Sequence, residues 1–205
     1  MIDNIELIKP LLNFNDENDF YMLYVFKRKK DQPEDERDNH QSVRTIKTYC
    51  IDSVQYLEKR YEEIKLLCET FKARAYIHVQ KQNHKDVSLE MMMSLAQRIK
   101  DNQHVQKNLF DSVVGQLKTN EKRWIVDVDT KDMNVVIDII GTINKCRPDG
   151  NKIYLKIPTK DGYHIITSRF DVEEFKKTYS NIDIQKKNPT LLYYPNSLNY
   201  EIISH

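Results

Sequence analysis

The run Trp124-Ile125-Val126-Asp127-Val128-Asp129 is apolar and β-branched until it meets two acids. Such a stretch reads as a buried strand that carries charge at its exit. Side chains two apart on a strand share a face, so Asp127 and Asp129 are expected to project together. Two carboxylates held close repel each other, and burial raises the cost. A divalent cation with oxygen ligands relieves that repulsion and often holds a phosphate as well. The plainer alternative is a strand that ends in a solvated loop with both acids in water.

The chain of 205 residues is long enough for one or two domains with a real core. It carries 31% charged and 40% hydrophobic residues, which suits a globular protein with a highly charged surface. The formal net charge of +1 excludes a global basic field, so any nucleic-acid contact must come from local patches. Cys50, Cys68 and Cys146 are odd in number and have no CxxC spacing, which supports neither a disulfide framework nor a zinc site. A reduced, cytoplasmic compartment fits that usage. The first residues, MIDNIELIKPLLNF, are acidic and lack an apolar signal core, and no apolar run approaches the ~20 residues needed to cross a bilayer. No membrane partner is therefore expected. Residue usage heavy in Lys, Asn and Ile suggests a phage or other mobile element as source.

Period-two and helical patterns divide the chain into two modules with a soft boundary at residues 118–122. Residues 20–27 and 43–51 read as strands joined by a polar loop that holds part of the basic cluster Lys27, Arg28, Lys29 and Lys30. Ser53 caps an amphipathic helix in which Val54, Leu57, Tyr61, Ile64, Cys68 and Phe71 recur at helical steps. Residues 73–80 read as a strand and 87–117 as two helical pieces, with Met91, Met92 and Met93 as core filler. Residues 1–120 thus form an N-terminal α+β module.

The second module, residues 121–205, opens with the Asp127/Asp129 strand. A helix at about 132–146 follows, then a hairpin of 153–158 and 163–167, a short helix capped by Asp171, and two closing strands. The order is β-α-β-β-α-β-β, an α+β unit of ferredoxin-like or RNA-recognition type with an extra strand. The two modules are expected to pack as one unit.

Three further elements could do chemistry. Gly162 permits a sharp turn and close backbone approach, and His164 just after it could donate to a phosphate oxygen. Lys156 and Lys160 lie near and supply positive charge. Asp183, between Ile182 and Ile184, is an acid within an apolar alternation. On a strand facing Asp127 and Asp129 it would complete a three-carboxylate site. Taken singly, each reads more simply as a surface strand or loop residue. Arg74, Tyr76, Lys81, Arg98, Tyr193 and Tyr194 could bind a nucleic-acid strand by charge and stacking. Tyr193 and Tyr194 point to opposite faces of a strand, so at most one faces a groove and the other reads as core, as does Trp124.

In combination, these motifs resemble the archaeo-eukaryotic primase superfamily. That family's pattern is hydrophobic-DxD, a small-x-H element and hydrophobic-D. Here these are Val126-Asp127-Val128-Asp129, Gly162-Tyr163-His164 and Ile182-Asp183. The tail LLYYPNSLNYE also resembles the segment that often follows the third motif, through Pro195, Ser197, Leu198 and Asn199. Tyr193 replaces a common arginine and Asn196 a common glycine, which puts one phosphate or template contact in doubt. The resemblance covers residues 123 to about 201.

The resemblance implies a two-metal nucleotidyltransferase, a primase-polymerase that acts in DNA replication. Asp127, Asp129 and Asp183 would hold two Mg²⁺ or Mn²⁺ ions, which lower the pKa of the attacking hydroxyl and neutralise the triphosphate. His164, Gly162, Lys160 and Lys156 would bind the nucleotide. Expected partners are a nucleoside triphosphate and a single-stranded DNA or RNA template, with a replication helicase as a further candidate. The rival reading is a catalytically inactive primase-like module that binds nucleic acid or a protein partner. Two other acid-pair families fit less well. Lys131 occupies a position where haloacid-dehalogenase-type phosphatases want Thr or Val, and the Gly-Ser element of polymerase-beta-type transferases is absent.

Overall fold

The computed structural model describes residues 1–28, 43–103, 109–117 and 122–195. It is a mixed α+β protein with two antiparallel sheets and, among the described residues, six α-helices. Most of the loop after the first long strand, with Lys29 and Lys30, lies outside the described residues, as do Asn196, Ser197, Leu198 and Asn199.

The first sheet takes β1 (Ile2–Asp3), β2 (Asp19–Arg28), β3 (Val43–Ile51), β4 (Arg74–His78) and β5 (Gln82–Asn83) from the N-terminal half. Between them lie α1 (Ile5–Ile8), α2 (Val54–Thr70), α3 (His84–Lys100) and α4 (Leu109–Gln116). The sequence dictates α2 closely. Ser53 Oγ accepts a hydrogen bond from the Tyr56 amide at 3.1 Å, and Leu57, Tyr61, Ile64 and Cys68 are buried at helical spacing. Phe71, expected on that buried stripe, caps the helix and is 46% exposed, because the stripe has rotated past the sheet by then. The methionine run also departs from expectation. Met91 packs on the core, but Met92 and Met93 are 69% and 60% exposed, since three consecutive helical positions cannot share one face.

The second sheet is built from β6 (Trp124–Val128), β7 (Ile153–Pro158), β8 (Tyr163–Thr167) and β9 (Asp183–Gln185), with α5 (Met133–Lys145) after β6 and α6 (Val172–Lys176) after β8. Its spatial order is β7-β8-β6-β9. Asp132 and Asp171 cap the two helices through their carboxylates. Val126, Val128 and Ile165 pack with Val136, Ile139 and Ile143 of α5 and Phe175 of α6, so both helices cover one face of the sheet. Val135, expected inward, is 39% exposed on the outer side of α5.

The final strand corrects the module boundary. β10 (Pro189–Tyr194) was expected to close the second module. Instead it returns to the first sheet between β1 and β4, giving the order β1-β10-β4-β2-β3 with β5 paired to β2. Its residues explain the choice. Thr190, Leu191, Leu192, Tyr193 and Tyr194 are all buried, and a near-continuous apolar run needs a strand position covered on both faces. The chain therefore crosses between the sheets twice, and residues 121–205 are not a sheet unto themselves.

Several contacts lock the sheets together. Ile125, Ile157 and Ile166 of the second sheet enter the same core as Leu23, Val25 and Ile77 of the first. The buried Asn4 side-chain amide donates to the carbonyls of Pro158 and Leu191, each at 2.9 Å. Gln80 Nε2 donates to the carbonyls of Arg123 and Lys186.

Candidate functional site

Strand alternation sets the faces of β6. Trp124, Val126 and Val128 turn towards the helices, while Ile125 and Asp127 turn towards the first sheet. Asp127 sits at the centre of a cross-strand row. It pairs in register with His164 on β8 and with Asp183 on β9. Residues directly opposite on antiparallel strands share a face, with Cβ atoms about 4.5–5.5 Å apart. Three residues widely separated along the chain thereby form one line across three strands.

Like charges directly opposite each other are destabilising. Here neighbouring groups offset the repulsion. Gln185 Nε2 donates to Asp127 Oδ2 at 3.1 Å and to Asp183 Oδ2 at 3.0 Å. His164 Nε2 lies 3.5 Å from Asp127 Oδ1. The His164 hydrogen bond, the His164 and Arg28 charges and the Gln185 amide together hold the Asp127 carboxyl below its ordinary value, against the upward push of burial. Asp127 is therefore an ionised group at neutral pH and not a proton donor.

His164 is buried, and its other ring nitrogen is fixed. Nδ1 is 2.9 Å from the hydroxyl of Thr190, itself fully buried on β10. The Thr190 hydroxyl can donate to Nδ1 or accept from it, and Nε2 faces Asp127. The strand that leaves the second sheet thus orients the histidine of that sheet.

Gly162 has a steric role. A Cβ there would lie 1.9 Å from the Val128 carbonyl oxygen and 2.7 Å from the Thr130 amide nitrogen. The turn before β8 thus rests directly on the backbone that carries Asp129 out of β6, and only glycine allows that approach.

The remaining expected site residues are placed differently. Asp129 follows the last residue of β6, is exposed, and makes no side-chain hydrogen bond or ion pair among the described residues. Among those residues no group of three or more His, Cys, Asp or Glu side chains gathers closely enough to hold a metal. The expected three-carboxylate convergence is thus a pair plus a neighbour. Lys156 pairs with Ile165 and lies on the helix-covered face, where its Nζ sits 4.7 Å from the Tyr163 ring centre. It does not join the row, because it is one residue out of phase with Ile157, the partner of His164. Lys160 is exposed in the hairpin turn.

The residues expected to stack or bind a nucleic-acid strand are largely internal. Arg74 and Tyr76 are 3% exposed, Tyr193 is core and donates to Glu69, and Tyr194 is buried beneath the Arg74 guanidinium. Lys81 is paired with Asp19 at 2.6 Å.

Sequence reasoning did not single out Gln185 or Thr190. Gln185 is two residues beyond Asp183, so the same period-two rule that pairs acids on a face could have found it. Thr190 carries no such signal, since its contact depends on β10 crossing to the other sheet. Compared with protein-family models, with curated proteins and with solved structures, the chain matches none.

Proposed function

We propose that the protein is a nucleotidyltransferase of primase-polymerase type, with its nucleotide site on the Asp127 face of the second sheet. The observation that carries the reading is the in-register row Asp183-Asp127-His164. Two acids and a histidine in the order of the DxD, GYH and hydrophobic-Asp motifs come together although 56 residues of sequence separate first from last. The β-α-β-β-α-β order of the second sheet, with both helices on one face and the row on the other, supports an RNA-recognition-like catalytic module.

The donor set suits one hard cation. Mg²⁺ is usually held by one or two carboxylates together with waters and substrate phosphates, not by an all-protein cage. Asp127 and Asp183 are such a pair, already close and already restrained by Gln185. Mg²⁺ or Mn²⁺ bound there would neutralise triphosphate charge and favour ionisation of an attacking hydroxyl. Asp127 and Asp183 bind and orient. His164, held at Nδ1 by Thr190 and turned to Asp127 through Nε2, steadies the Asp127 carboxylate. Gly162 keeps the Asp129 turn against the same strand end.

A second reading is favoured by one specific observation. Asp129 stands outside the row, exposed, which fits a primase-like fold that binds nucleic acid or a partner without synthesis. Nucleotide incorporation separates the two. Labelled ribo- or deoxyribonucleoside triphosphates are supplied with Mn²⁺ on a single-stranded template. We expect template-dependent products from the wild-type chain and none from Asp127→Asn. Absence of product from the folded wild-type chain with every nucleotide and both metals would leave the binding module as the reading.

A further inference from the structure

A second feature lies on the other face of the second sheet and at the other end of β6. Trp124, the one tryptophan in the chain, stands three residues before Asp127, about 10 Å along the strand. It borders a cavity of about 710 Å³. That size falls within the range of small-molecule sites, about 300–1,000 Å³. The floor is apolar, made by Trp124, Phe170 and Pro148, with Trp124 and Phe170 edge to face at 5.6 Å.

The rim is strongly cationic. Lys122, Arg147, Arg169, Lys186 and Lys187 line it against a single carboxylate, Asp171. In a chain with 32 basic and 31 acidic residues overall, five to one is a local concentration. Part of it is engaged within the protein: Arg147 pairs with Asp171 at 2.9 Å, and Lys187 donates to the carbonyls of Gly115 and Gln116. Among the described residues Lys122 and Arg169 have no ion-pair partner, and Lys186 has the Trp124 ring, 5.0 Å from its Nζ. Cations gathered around an aromatic floor match a ligand with a flat ring and a phosphate.

We infer that this cavity binds a nucleoside phosphate, the base against Trp124 and Phe170 and the phosphate at Lys122, Arg169 and Lys186. The ligand is either a free nucleotide or one residue of a single-stranded nucleic acid. The inference does not rest on the acid row. The two sites lie on opposite faces, and this one needs no metal.

Trp124 is the chain's one tryptophan, so its fluorescence reports a ligand at this cavity, and EDTA removes metal-dependent binding at the acid row about 10 Å away. Titrations in EDTA at low salt, excited at 295 nm, use ATP, a ten-residue oligothymidylate, inorganic tripolyphosphate and polyglutamate. We expect saturable quenching by ATP, by the oligonucleotide, or by both. ATP alone identifies a free nucleotide. Tighter oligonucleotide binding that falls steeply with salt identifies a strand. The double variant Lys122→Glu/Arg169→Glu should weaken binding at least about tenfold, while Asp127→Asn should leave it unchanged. Circular dichroism of the double variant checks its fold. Quenching by neither nucleotide ligand overturns the inference. So does equal affinity for tripolyphosphate or polyglutamate, or undiminished binding by a folded double variant. None of these results depends on whether the chain transfers nucleotides.

Discussion

Asp127 and Asp183 stand directly opposite each other on adjacent antiparallel strands, and one side-chain amide, that of Gln185, donates to both. Two carboxylates in that position repel, so the fold tolerates the pair because neighbours compensate. Gln185→Leu keeps the volume and removes both hydrogen bonds. We expect a loss of about 1–2 kcal/mol at neutral pH, or roughly 2–8 °C in Tm for a chain of this size. Added Mn²⁺ should recover part of that loss. Urea denaturation of the variant with and without Mn²⁺ measures both.

The lowered Asp127 pKa has a signed consequence. Its neighbours favour the charged form in the folded state, so the stabilisation is present above the ordinary carboxylate value of 3.8. It is lost as pH falls through the lower folded value. The stability difference between wild type and Asp127→Asn should therefore change below about pH 4. Denaturation curves across that range show whether the step is there. A difference independent of pH would remove the His164 and Gln185 contribution to Asp127.

Thr190 and His164 join the two sheets through a buried hydrogen bond of 2.9 Å. Thr190→Val is close to isosteric but leaves the ring nitrogen without a partner. The cost should be about 1–3 kcal/mol. The imidazole should also lose its Nδ1 partner, which is visible in its nitrogen NMR shifts. Unchanged shifts would mean that the threonine does not orient the ring.

Gly162→Ala tests packing at the turn. The new methyl would meet backbone oxygen at 1.9 Å, and neither strand end can move freely. Overpacking of this kind costs about 1–3 kcal/mol. Any residual fold should show altered amide shifts at Asp129 and Thr130. A variant as stable as wild type would show that the turn and the β6 exit are not in contact.

How much of this was legible in the sequence depends on range. β3, β7 and β8 start and stop where their apolar runs do, and Ser53 and Asp171 cap helices as their positions suggest. These are local effects of propensity and capping. The juxtaposition of Asp127, His164 and Asp183 was expected from motif order and is present in the register. The destination of β10 was not legible, because the strand pairs with β4, more than a hundred residues earlier, and nothing local marks that partner. Arg74, Tyr76 and Tyr194 are buried along that β4–β10 seam, where Leu191 pairs with Tyr76 and Arg74 lies over the Tyr194 ring. Lys156 is near His164 in sequence, but a single step of strand phase puts it on the opposite face.

The most direct measurement is the metal-dependent part of nucleotide stabilisation. Tm is recorded for wild type, Asp127→Asn and Asp183→Asn with ATP plus Mn²⁺, and with ATP plus EDTA to subtract any metal-free binding. At a hundredfold excess over Kd a ligand adds about 2.7 kcal/mol to the folded state. We expect a clear Mn²⁺-dependent rise of several degrees in wild type, and its loss in both variants. Equal Mn²⁺-dependent shifts in all three proteins, or none in wild type, would contradict a cation-and-triphosphate site built on this pair.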